Sequence, residues 1–467
     1  MTKPSVTLVI EPLAPPSIRP LRTIFEEVCH TDMAVLFDSA SEHSDSRYSI
    51  MAWSPKAWLT TRQGESHIRY RDSELIERVT SPPFTALKNL HHALVSTLSI
   101  AGDSQRLADE LPFLIGVAGL AGYDTGRYYE ALPTEAEDDY DCPDVVVGLY
   151  DQSLIEDRVT GMQYHCRLDY LPRLDLSGID AKPETGRFAL ASRWVSNLSK
   201  QAYVNALERI NTYLHTGDCY QVNMAQRFTA AYTGDPFTAY CRLRDSNKAP
   251  FSAYLHHQGS HVLSISPERF LSVSKDGQVQ TKPIKGTRPR FADPARDKAS
   301  ANELLEAEKD QAENLMIVDL LRNDISKHCE PHSVAVPALF SLESFAAVHH
   351  LVSTITARLS ADASPLDLLA GAFPGGSITG APKVRAMEII DELEPHRRNV
   401  YCGSMFYLGA MNDMDSSICI RTLLAENNRI HCWAGGGIVL DSDPLSEYQE
   451  TLDKVAKILP ELAEHCE

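Results

Sequence analysis

The sequence predicts a large protein of mixed α and β structure, organised as two lobes. Short runs of apolar residues predict strands, for example Met33–Phe37 and Asp144–Tyr150, and between such runs lie segments with apolar residues at helical spacing. The length of 467 residues exceeds what a single hydrophobic core usually serves. Residues 172–192 are polar, contain several prolines and glycines and lack periodicity. We therefore place the boundary there and expect an N-terminal lobe over residues 1–185 and a catalytic lobe over 190–467.

Each predicted element has its own local signal. Ser199 and Gly217 bracket a helix as its N-cap and its terminating glycine, and four leucines on one face predict a helix over residues 84–98. The segment Leu111–Tyr123 spaces three glycines three residues apart, which predicts a buried strand packed against another backbone. Towards the C-terminus, the patterns predict helices over 300–321, after Pro382 and from Leu445, and strands at Gln221–Ala231, Ser252–Leu255, His261–Ile265, Ala346–Thr356, Gly403–Leu408, Ser417–Leu424 and Ile430–Val439.

Composition excludes several classes of function. With 44 basic and 63 acidic residues the formal net charge is -19, which argues against nucleic acid or an anionic membrane as the partner. An anionic substrate would therefore need local lysine and arginine residues or a metal ion. The longest apolar run is too short to span a membrane, and no N-terminal apolar signal is visible. The ten cysteines form no Cys-x-x-Cys pair, so we expect reduced thiols in a cytoplasmic protein and no structural zinc site.

A cationic segment, Thr281–Arg290, stands out in this acidic chain. It contains Lys282, Lys285, Arg288 and Arg290 and no acidic residue. Two prolines restrict its backbone, and a glycine after Lys285 permits close approach of another group. One interpretation is a stiff loop directed at an anion; the other is a surface turn with solvated charges, and these ten residues alone slightly favour the turn.

Lys285 is a candidate nucleophile within this segment. The neighbouring cations Lys282, Arg288 and Arg290 are expected to lower its pKa towards neutrality and so free the amine. Glu268, which follows Ser266-Pro267, is a candidate general acid or base. His350 is a candidate catalytic partner, although a lone histidine on a strand is more often a structural residue.

Acidic residues on two helices suggest a metal site. Glu313 shares a helix face with apolar Met316 and Ile317, so its carboxylate is either paired with a cation or bound to a metal. Glu447 and Glu450 lie on the last helix, and Mg²⁺ takes one or two carboxylates with substrate oxygens and water. Spacing alone leaves open whether these helices converge, and a buried ion pair remains the alternative for Glu313.

Two glycine-rich turns offer backbone N–H groups to an anion. Pro374–Lys383 leads into a helix N-terminus, and Ala434–Gly437 contains three consecutive glycines. Neither carries the Gly-Lys-Ser/Thr end of a nucleoside triphosphate loop, which disfavours a nucleoside triphosphatase. Tight turns without a ligand are the alternative for both.

The motifs together resemble the chorismate-utilising enzymes, a family that includes the large subunit of anthranilate synthase and the isochorismate and salicylate synthases. The matching segments span residues 195 to 455 in the family order, and the N-terminal part, with Gly119–Asp124, is similar to the N-terminal lobe of that family. The segments are Ser266–Phe270, Pro283–Thr287, Ala312–Asp324, His350–Ser353, Pro374–Met387 and Ala434–Gly437. This resemblance implies two stacked, mainly antiparallel sheets with helices outside.

The resemblance also implies roles for particular residues. Glu313 and Glu450 would hold Mg²⁺ against the ring carboxylate of chorismate, and Glu268 would assist departure of the C4 hydroxyl. Lys285 would add at C2, and ammonia would then displace it by attack at C4. The residues implied to line the substrate site are Thr287, His350, Tyr407, Arg421, Gly435, Gly436 and Lys454.

Within the family, the residue at Lys285 separates two branches. Anthranilate synthases carry alanine in this motif, whereas lysine marks the branch that aminates chorismate at C4 for 4-aminobenzoate and folate synthesis. The resemblance implies that a separate glutamine amidotransferase subunit supplies the ammonia. Anthranilate synthase, with amination at C2 and release of pyruvate, is the nearest alternative, and a non-catalytic chorismate-binding subunit is the other. A pocket for L-tryptophan is also implied, lined by Ser39, Ser46, Arg47, Pro250 and Phe251.

Overall fold

Strands and helices alternate along the chain of this computed structural model, which describes residues 6–13, 19–40, 46–176, 186–344 and 348–463. The strands before residue 200 are β1 (Val6–Pro12), β2 (Val35–Asp38), β3 (Tyr48–Ala52), β4 (Ala57–Arg62), β5 (Glu65–Tyr70), β6 (Ser73–Val79), β7 (Leu98–Ile100), β8 (Gly116–Ala121), β9 (Val145–Tyr150), β10 (Gln152–Asp157), β11 (Met162–Leu168), β12 (Phe188–Leu190) and β13 (Val195–Ser196). The later strands are β14 (Gln221–Gly234), β15 (Phe251–His257), β16 (Ser260–Ser266), β17 (Arg269–Val273), β18 (Gln278–Thr281), β19 (Ile284–Pro289), β20 (Ala335–Ser344), β21 (Val348–Arg358), β22 (Gly380–Ala381), β23 (Ser404–Gly409), β24 (Met414–Ile418), β25 (Thr422–Glu426) and β26 (Arg429–Ile438).

The α-helices lie between these strands and after the last of them. In chain order they are α1 (Leu21–Glu26), α2 (Pro83–Val95), α3 (Gln105–Glu110), α4 (Lys200–Thr216), α5 (Pro236–Asn247), α6 (Pro294–Glu306), α7 (Glu308–Ser326), α8 (Pro365–Ala372), α9 (Lys383–Leu393), α10 (Pro444–Val455) and α11 (Leu459–Ala463). None of the helices among the described residues is both long and apolar enough to cross a membrane.

Two large sheets organise the fold, as predicted. The first has fourteen strands in the order β12-β14-β26-β25-β16-β15-β2-β3-β10-β11-β1-β7, with β13 and β22 also paired to β14. The second has twelve strands in the order β19-β21-β18-β17-β24-β23-β8-β9-β4-β5-β6, with β20 paired to β21. Pairing is antiparallel throughout these strands except between β1 and β7.

Strands from both parts of the chain share each sheet. In the first sheet β15 pairs with β2, and in the second β23 pairs with β8. The proposed division into lobes at residues 1–185 and 190–467 stays a prediction, and residues 177–185 of its boundary lie outside the described residues.

The glycines of the predicted buried strand explain how closely its neighbours pack. A Cβ at Gly116 would lie 2.2 Å from the Leu408 carbonyl oxygen, and one at Gly119 would lie 2.1 Å from that of Val146. Both glycines have positive φ, and all six residues of β8 are buried. Larger residues at these positions would force β23 and β9 away from β8.

The local helix signals gave mixed outcomes. Helix α4 begins and ends as predicted, because Ser199 Oγ accepts a hydrogen bond from the Ala202 N–H and Gly217 is left-handed with φ 80°. The single helix expected over 300–321 is wrong: Ala307 has an extended backbone and separates α6 from α7. Alanine favours helix, so tertiary contacts of the α7 N-terminus override the local preference at this break.

A second correction concerns the strand expected over Ser417–Leu424. It is two strands, because β24 ends at Ile418 in one sheet and β25 begins at Thr422 in the other. Arg421 lies in this crossing with a positive φ of 51°. Sequence periodicity misses the crossing because residues 418–420 and 422–424, on either side of Arg421, are both short runs of mainly apolar residues.

Candidate active site

The chain passes from one sheet to the other at two adjacent places, and a cavity of about 550 Å³ opens there. The first crossing, between β16 and β17, carries Glu268, and the second carries Arg421. The two crossings are joined, since the Ile418 N–H donates to the Glu268 carbonyl at 3.1 Å. Strands of both sheets and helices α7 and α10 complete the walls.

Lys285 enters the cavity from an irregular strand. The pairing of β19 with β21 shifts register between Ile284 and Thr287, so Lys285 and Gly286 form a bulge. Gly286 has φ 80°, and a Cβ there would lie 2.8 Å from Leu304 Cδ1 and 2.9 Å from Asp310 Cγ. The glycine thus lets β19 lie against α6 and α7 with Lys285 at the cavity wall.

The other three cations of the segment around Lys285 are paired with acids that follow later in the chain. Lys282 contacts Glu343 at 2.6 Å, Arg290 contacts Asp297 at 2.9 Å, and Arg288 contacts both Glu303 and Asp310. These three cations are therefore not free to bind an anion. The interpretation of the segment as a loop directed at an anion now depends on Lys285.

The pKa of Lys285 is lowered, but the cause differs from the predicted one. Burial in the cavity is the largest cause, with Lys454 adding to it, while Glu313 and Glu268 oppose the shift. The predicted cause, which was repulsion from Lys282, Arg288 and Arg290, is wrong, because these three residues are neutralised by their own acidic partners. A larger fraction of neutral amine is the result.

Glu268 shows the opposite shift in the same cavity. Burial raises its pKa to about 7, although Lys285, Lys454 and Arg421 act to lower it. The side chain is 7% exposed. A carboxylic acid that keeps its proton near neutral pH lies beside an amine that loses its proton more readily, which is the combination that general acid and nucleophilic catalysis require.

Helices α7 and α10 converge at one wall of the cavity with their acidic residues. Asp310 and Glu313 come from α7, and Glu447 and Glu450 come from α10. Burial raises the pKa of Glu313, against the effect of Lys285. The structure thus brings together the acidic residues whose convergence the sequence left open.

Glu450 is held by a lysine one helical turn later. Lys454 Nζ contacts Glu450 at 2.7 Å and donates to the Gly435 carbonyl at 2.8 Å. Burial acts to raise the pKa of Glu450, but Lys454 and further lysines outweigh it and the pKa is lowered. The lysine therefore ties α10 to the glycine-rich end of β26.

The chemistry of these acidic residues fits a partly open magnesium site. Among the described residues, no group of three or more histidine, cysteine, aspartate or glutamate side chains is arranged to hold a metal ion by itself. Mg²⁺ uses one or two carboxylates together with substrate oxygens and water. The ammonium of Lys309 already stands between Glu313 and Glu447, at 3.9 and 3.6 Å, so the place suits a cation.

His350 lies in the cavity beside Thr287. Thr287 Oγ1 and His350 Nδ1 are 2.9 Å apart. Burial and then Arg421 lower the pKa of His350 to about 4, so the ring is neutral at pH 7. A neutral imidazole can exchange hydrogen bonds with a substrate without adding charge.

The glycines of β26 have two different environments. Gly435 and Gly437 line the cavity. Gly436 lies between them and beside the acidic residues of α10 that line the same cavity, since a Cβ there would lie 3.3 Å from Glu447 Oε2 and 3.7 Å from Glu450 Oε1. The absent side chain at Gly436 leaves room for these acidic residues, and its place in the substrate lining stays a prediction.

Tyr407, also expected in the substrate lining, does not line the first cavity. It lies in a second cavity, of about 300 Å³, where its ring packs against Phe37 and Phe113 at 5.5 Å. Side chains alternate along β23, and the sequence does not indicate which face of this strand meets which cavity.

The second cavity contains most of the residues expected around tryptophan. Ser39, Arg47, Pro250 and Phe251 line it, together with Asp38 and Tyr48. Ser46 is buried but does not line this cavity.

Several residues of the first cavity were missed by the sequence analysis, among them three polar or charged ones. Asn223, Lys309 and Asp310 line it. The spacing from Asp310 to Glu313 repeats that from Glu447 to Glu450, three residues on a helix, and this repeat was a usable signal. Asn223 and Lys309 carry no local signal that separates them from ordinary polar residues.

Similarity to known proteins extends over nearly the whole chain. The profile of a family described as chorismate binding enzyme matches residues 34–460. Aminodeoxychorismate synthase component 1 of Klebsiella aerogenes is 48% identical over 430 residues, which cover 92% of this chain and 93% of the relative. The protein of the same name from Escherichia coli (strain K12) is 47% identical over 445 residues, covering 94% and 95%.

A solved structure agrees with the fold. Anthranilate synthase component I of Streptococcus pneumoniae superposes with a TM-score of 0.75 at 30% sequence identity. The match covers 90% of this chain and 93% of that protein.

Proposed function

Because this chain belongs to the family of chorismate binding enzymes, we propose that it aminates chorismate at C4 to give 4-amino-4-deoxychorismate. The observation that carries the proposal is Lys285, held by the bulge of β19 in one cavity with Glu268. The resemblance described above carries lysine at this position in the C4-aminating branch and alanine in anthranilate synthases. The product is the precursor of 4-aminobenzoate.

In the first step, the Lys285 amine attacks C2 of chorismate. The C2–N bond forms, the two conjugated ring double bonds both shift towards C4, and the C4–O bond breaks. Glu268 donates its proton to the departing hydroxyl, which leaves as water. The opposite pKa shifts of these two residues support this assignment, because the step needs a neutral amine and a protonated carboxyl.

In the second step, ammonia attacks C4 and the lysine leaves. The C4–N bond forms, both ring double bonds shift back, and the C2–N bond to Lys285 breaks. The ammonium proton passes to a base, for which Glu268 is now available as carboxylate. Two displacements leave the amino group at the carbon that carried the hydroxyl, and the sum is chorismate plus ammonia giving the product and water.

Glu313 and Glu450 are proposed to hold Mg²⁺, with Asp310 and Glu447 beside them. Mg²⁺ bound there would neutralise and orient the ring carboxylate of chorismate. Arg421 and Lys454 supply further positive charge in the cavity, and the backbone of Gly435 and Gly437 borders it. These groups would offset the electrostatic repulsion between a dianionic substrate and an acidic protein.

Ammonia is proposed to come from glutamine through a separate amidotransferase subunit. The names of the similar proteins, which call them component 1, support a partner component. The chain alone is then expected to use free ammonia, and to use glutamine only when the partner is present.

The test is a product assay with the purified chain. Wild type and Lys285→Ala are incubated with chorismate, Mg²⁺ and ammonium at high pH, and the products are separated by chromatography. Aminodeoxychorismate from wild type, with a severe loss in Lys285→Ala, is the expected result. Anthranilate and pyruvate from wild type would replace the proposal with the anthranilate synthase alternative, and unaltered chorismate would favour a binding subunit.

The second cavity is proposed to bind L-tryptophan. Its volume of about 300 Å³, the aromatic rings of Phe251 and Tyr407 and the polar groups of Ser39 and Arg47 support an amino acid with a large aromatic side chain. Calorimetric titration with L-tryptophan should give saturable heat that D-tryptophan does not give. Absence of heat with L-tryptophan would refute this assignment.

A further inference from the structure

We propose that the ammonium of Lys309 is a displaceable cation of the protein itself. It occupies the acidic wall of the cavity until a divalent cation replaces it there. This inference rests on the proposed function, which assigns that wall to Mg²⁺. It concerns a residue to which neither the motifs nor the proposed mechanism assigns a role.

The position of Lys309 links the two helices of the wall. Its ammonium lies 3.9 Å from Glu313 Oε1 on its own helix α7 and 3.6 Å from Glu447 Oε1 on α10. Glu313 and Glu447 are 18% and 6% exposed, whereas Lys309 is 54% exposed. The lysine therefore reaches from solvent over two largely buried acids, and Glu447 Oε1 also accepts a hydrogen bond from Ser442 Oγ at 2.7 Å.

Local helix energetics do not account for this placement. Lys309 is in the first turn of α7, where the helix dipole disfavours a positive charge. A lysine four residues before a glutamate is also the less favourable order for a helical pair. The attraction that holds the ammonium here therefore comes from the acids of the cavity, above all from Glu447 on the other helix.

The other cations at this wall are held more firmly. Lys454 contacts Glu450 at 2.7 Å and also donates to a backbone carbonyl, and Arg288 contacts Asp310 at 3.2 Å. Both distances of Lys309 exceed the usual 2.7–3.2 Å of an N–H···O hydrogen bond. Of these three cations, Lys309 is therefore the one whose contacts a competing ion most easily replaces.

Two consequences follow from exchange between an ammonium and a divalent ion. Without metal, Lys309 limits repulsion between Glu313 and Glu447 and keeps α7 close to α10. With metal, the long side chain moves outward and regains hydration, so the lysine competes with the metal and weakens its binding. Removal of the Lys309 charge should thus strengthen metal binding and lower the free energy of unfolding of the metal-free protein.

The test measures Mn²⁺ affinity without chorismate, by electron paramagnetic resonance of free Mn²⁺. Lys309→Gln should lower the Mn²⁺ dissociation constant by about threefold to tenfold, the effect of removing a partly exposed charge near two acids. Lys309→Arg keeps the charge and should bind Mn²⁺ more weakly than Lys309→Gln. Lys298→Gln, at an exposed lysine of α6, is the matched control and should equal wild type.

A second measurement compares thermal unfolding with EDTA and with saturating Mg²⁺. Lys309→Gln should gain more in melting temperature from Mg²⁺ than wild type does. Equal or weaker Mn²⁺ binding by Lys309→Gln, or no Mn²⁺ binding by wild type, would overturn the proposal. The titration uses no chorismate, so its outcome is independent of which product the wild-type chain makes.

Discussion

Thr287 and His350 are direct register partners on β19 and β21, and their side chains meet at 2.9 Å between Oγ1 and Nδ1. The contact fixes one ring nitrogen of a neutral imidazole, and a hydrogen bond with the Gly286 backbone also holds the ring. It also ties the end of the Lys285 bulge to the central strand of this part of the sheet.

Loss of this hydrogen bond should lower activity without unfolding the protein. Thr287→Val is expected to reduce kcat/KM for chorismate by about threefold to tenfold, since such a bond contributes roughly 0.5–1.5 kcal/mol. Thr287→Ser retains the hydroxyl and should stay close to wild type. Steady-state kinetics with ammonium as nitrogen source make the comparison, and equal losses in both variants would remove the hydroxyl from the explanation.

The raised pKa of Glu268 predicts a pH-dependent cost to stability. The folded protein holds this proton up to about pH 7, whereas an unfolded glutamate releases it near the ordinary glutamate pKa of 4.5. The favourable contribution is thus complete at acid pH and is lost as pH rises through about 7. Between pH 5 and 8 wild type should lose about 2 kcal/mol that Glu268→Gln does not lose.

Urea unfolding of both proteins at the two pH values measures this difference. Glu268→Gln should be more stable than wild type at pH 8 and nearly inactive at either pH. A difference between the two proteins that does not change with pH would contradict the assignment of a raised pKa to Glu268.

Gly286 should be irreplaceable for a reason that its conformation alone does not supply. Gly286 and Gly277 have nearly equal φ, 80° and 81°, but a Cβ at Gly277 meets only Leu359 Cβ at 4.0 Å. Both alanine variants bear left-handed strain of about 1–2 kcal/mol. Only Gly286→Ala also pushes against Leu304 and Asp310, which displaces Lys285.

The kinetic comparison of these two variants isolates the steric effect. Gly286→Ala should lose at least about tenfold in kcat, because small displacements of reacting groups are costly, and Gly277→Ala should stay within about twofold of wild type. Similar kcat values for the two variants would show that the bulge does not position Lys285.

A buried ion pair behind the cavity should dominate stability. Arg398, 1% exposed, contacts Glu394 at 2.6 Å and donates to the carbonyls of Ile378 and Asn223, both at 2.8 Å. Arg398→Met leaves Glu394 buried and unpaired, so the free energy of unfolding should fall by about 3–5 kcal/mol.

Two further variants complete this test. Arg398→Met combined with Glu394→Leu should be less destabilised than Arg398→Met alone, because no buried charge then lacks its partner. Arg209→Met, at the exposed pair of Arg209 with Glu392, should change stability by less than about 0.5 kcal/mol. Circular dichroism during urea unfolding gives the three values; equal losses in the single and double Arg398 variants would contradict the explanation.

Local chemistry was readable from the sequence where the cause is local. The caps of α4, the buried glycine strand β8 and the mixed α and β class follow from neighbouring residues, and each agrees with the structure. The sequence also indicates candidate site residues in the motif around Lys285 and among the acidic residues of the last helix.

Tertiary structure alone decided which of these residues meet. The acids that neutralise Lys282, Arg288 and Arg290 are on other elements of the fold. The charge pattern of the segment by itself therefore overestimates the positive charge that is available to a ligand. Tyr407 lines the other cavity because strand pairing determines which cavity each face of β23 borders. Glu268 and Arg421 meet because the chain changes sheets at both places, and long-range pairing, not local preference, fixes such crossings.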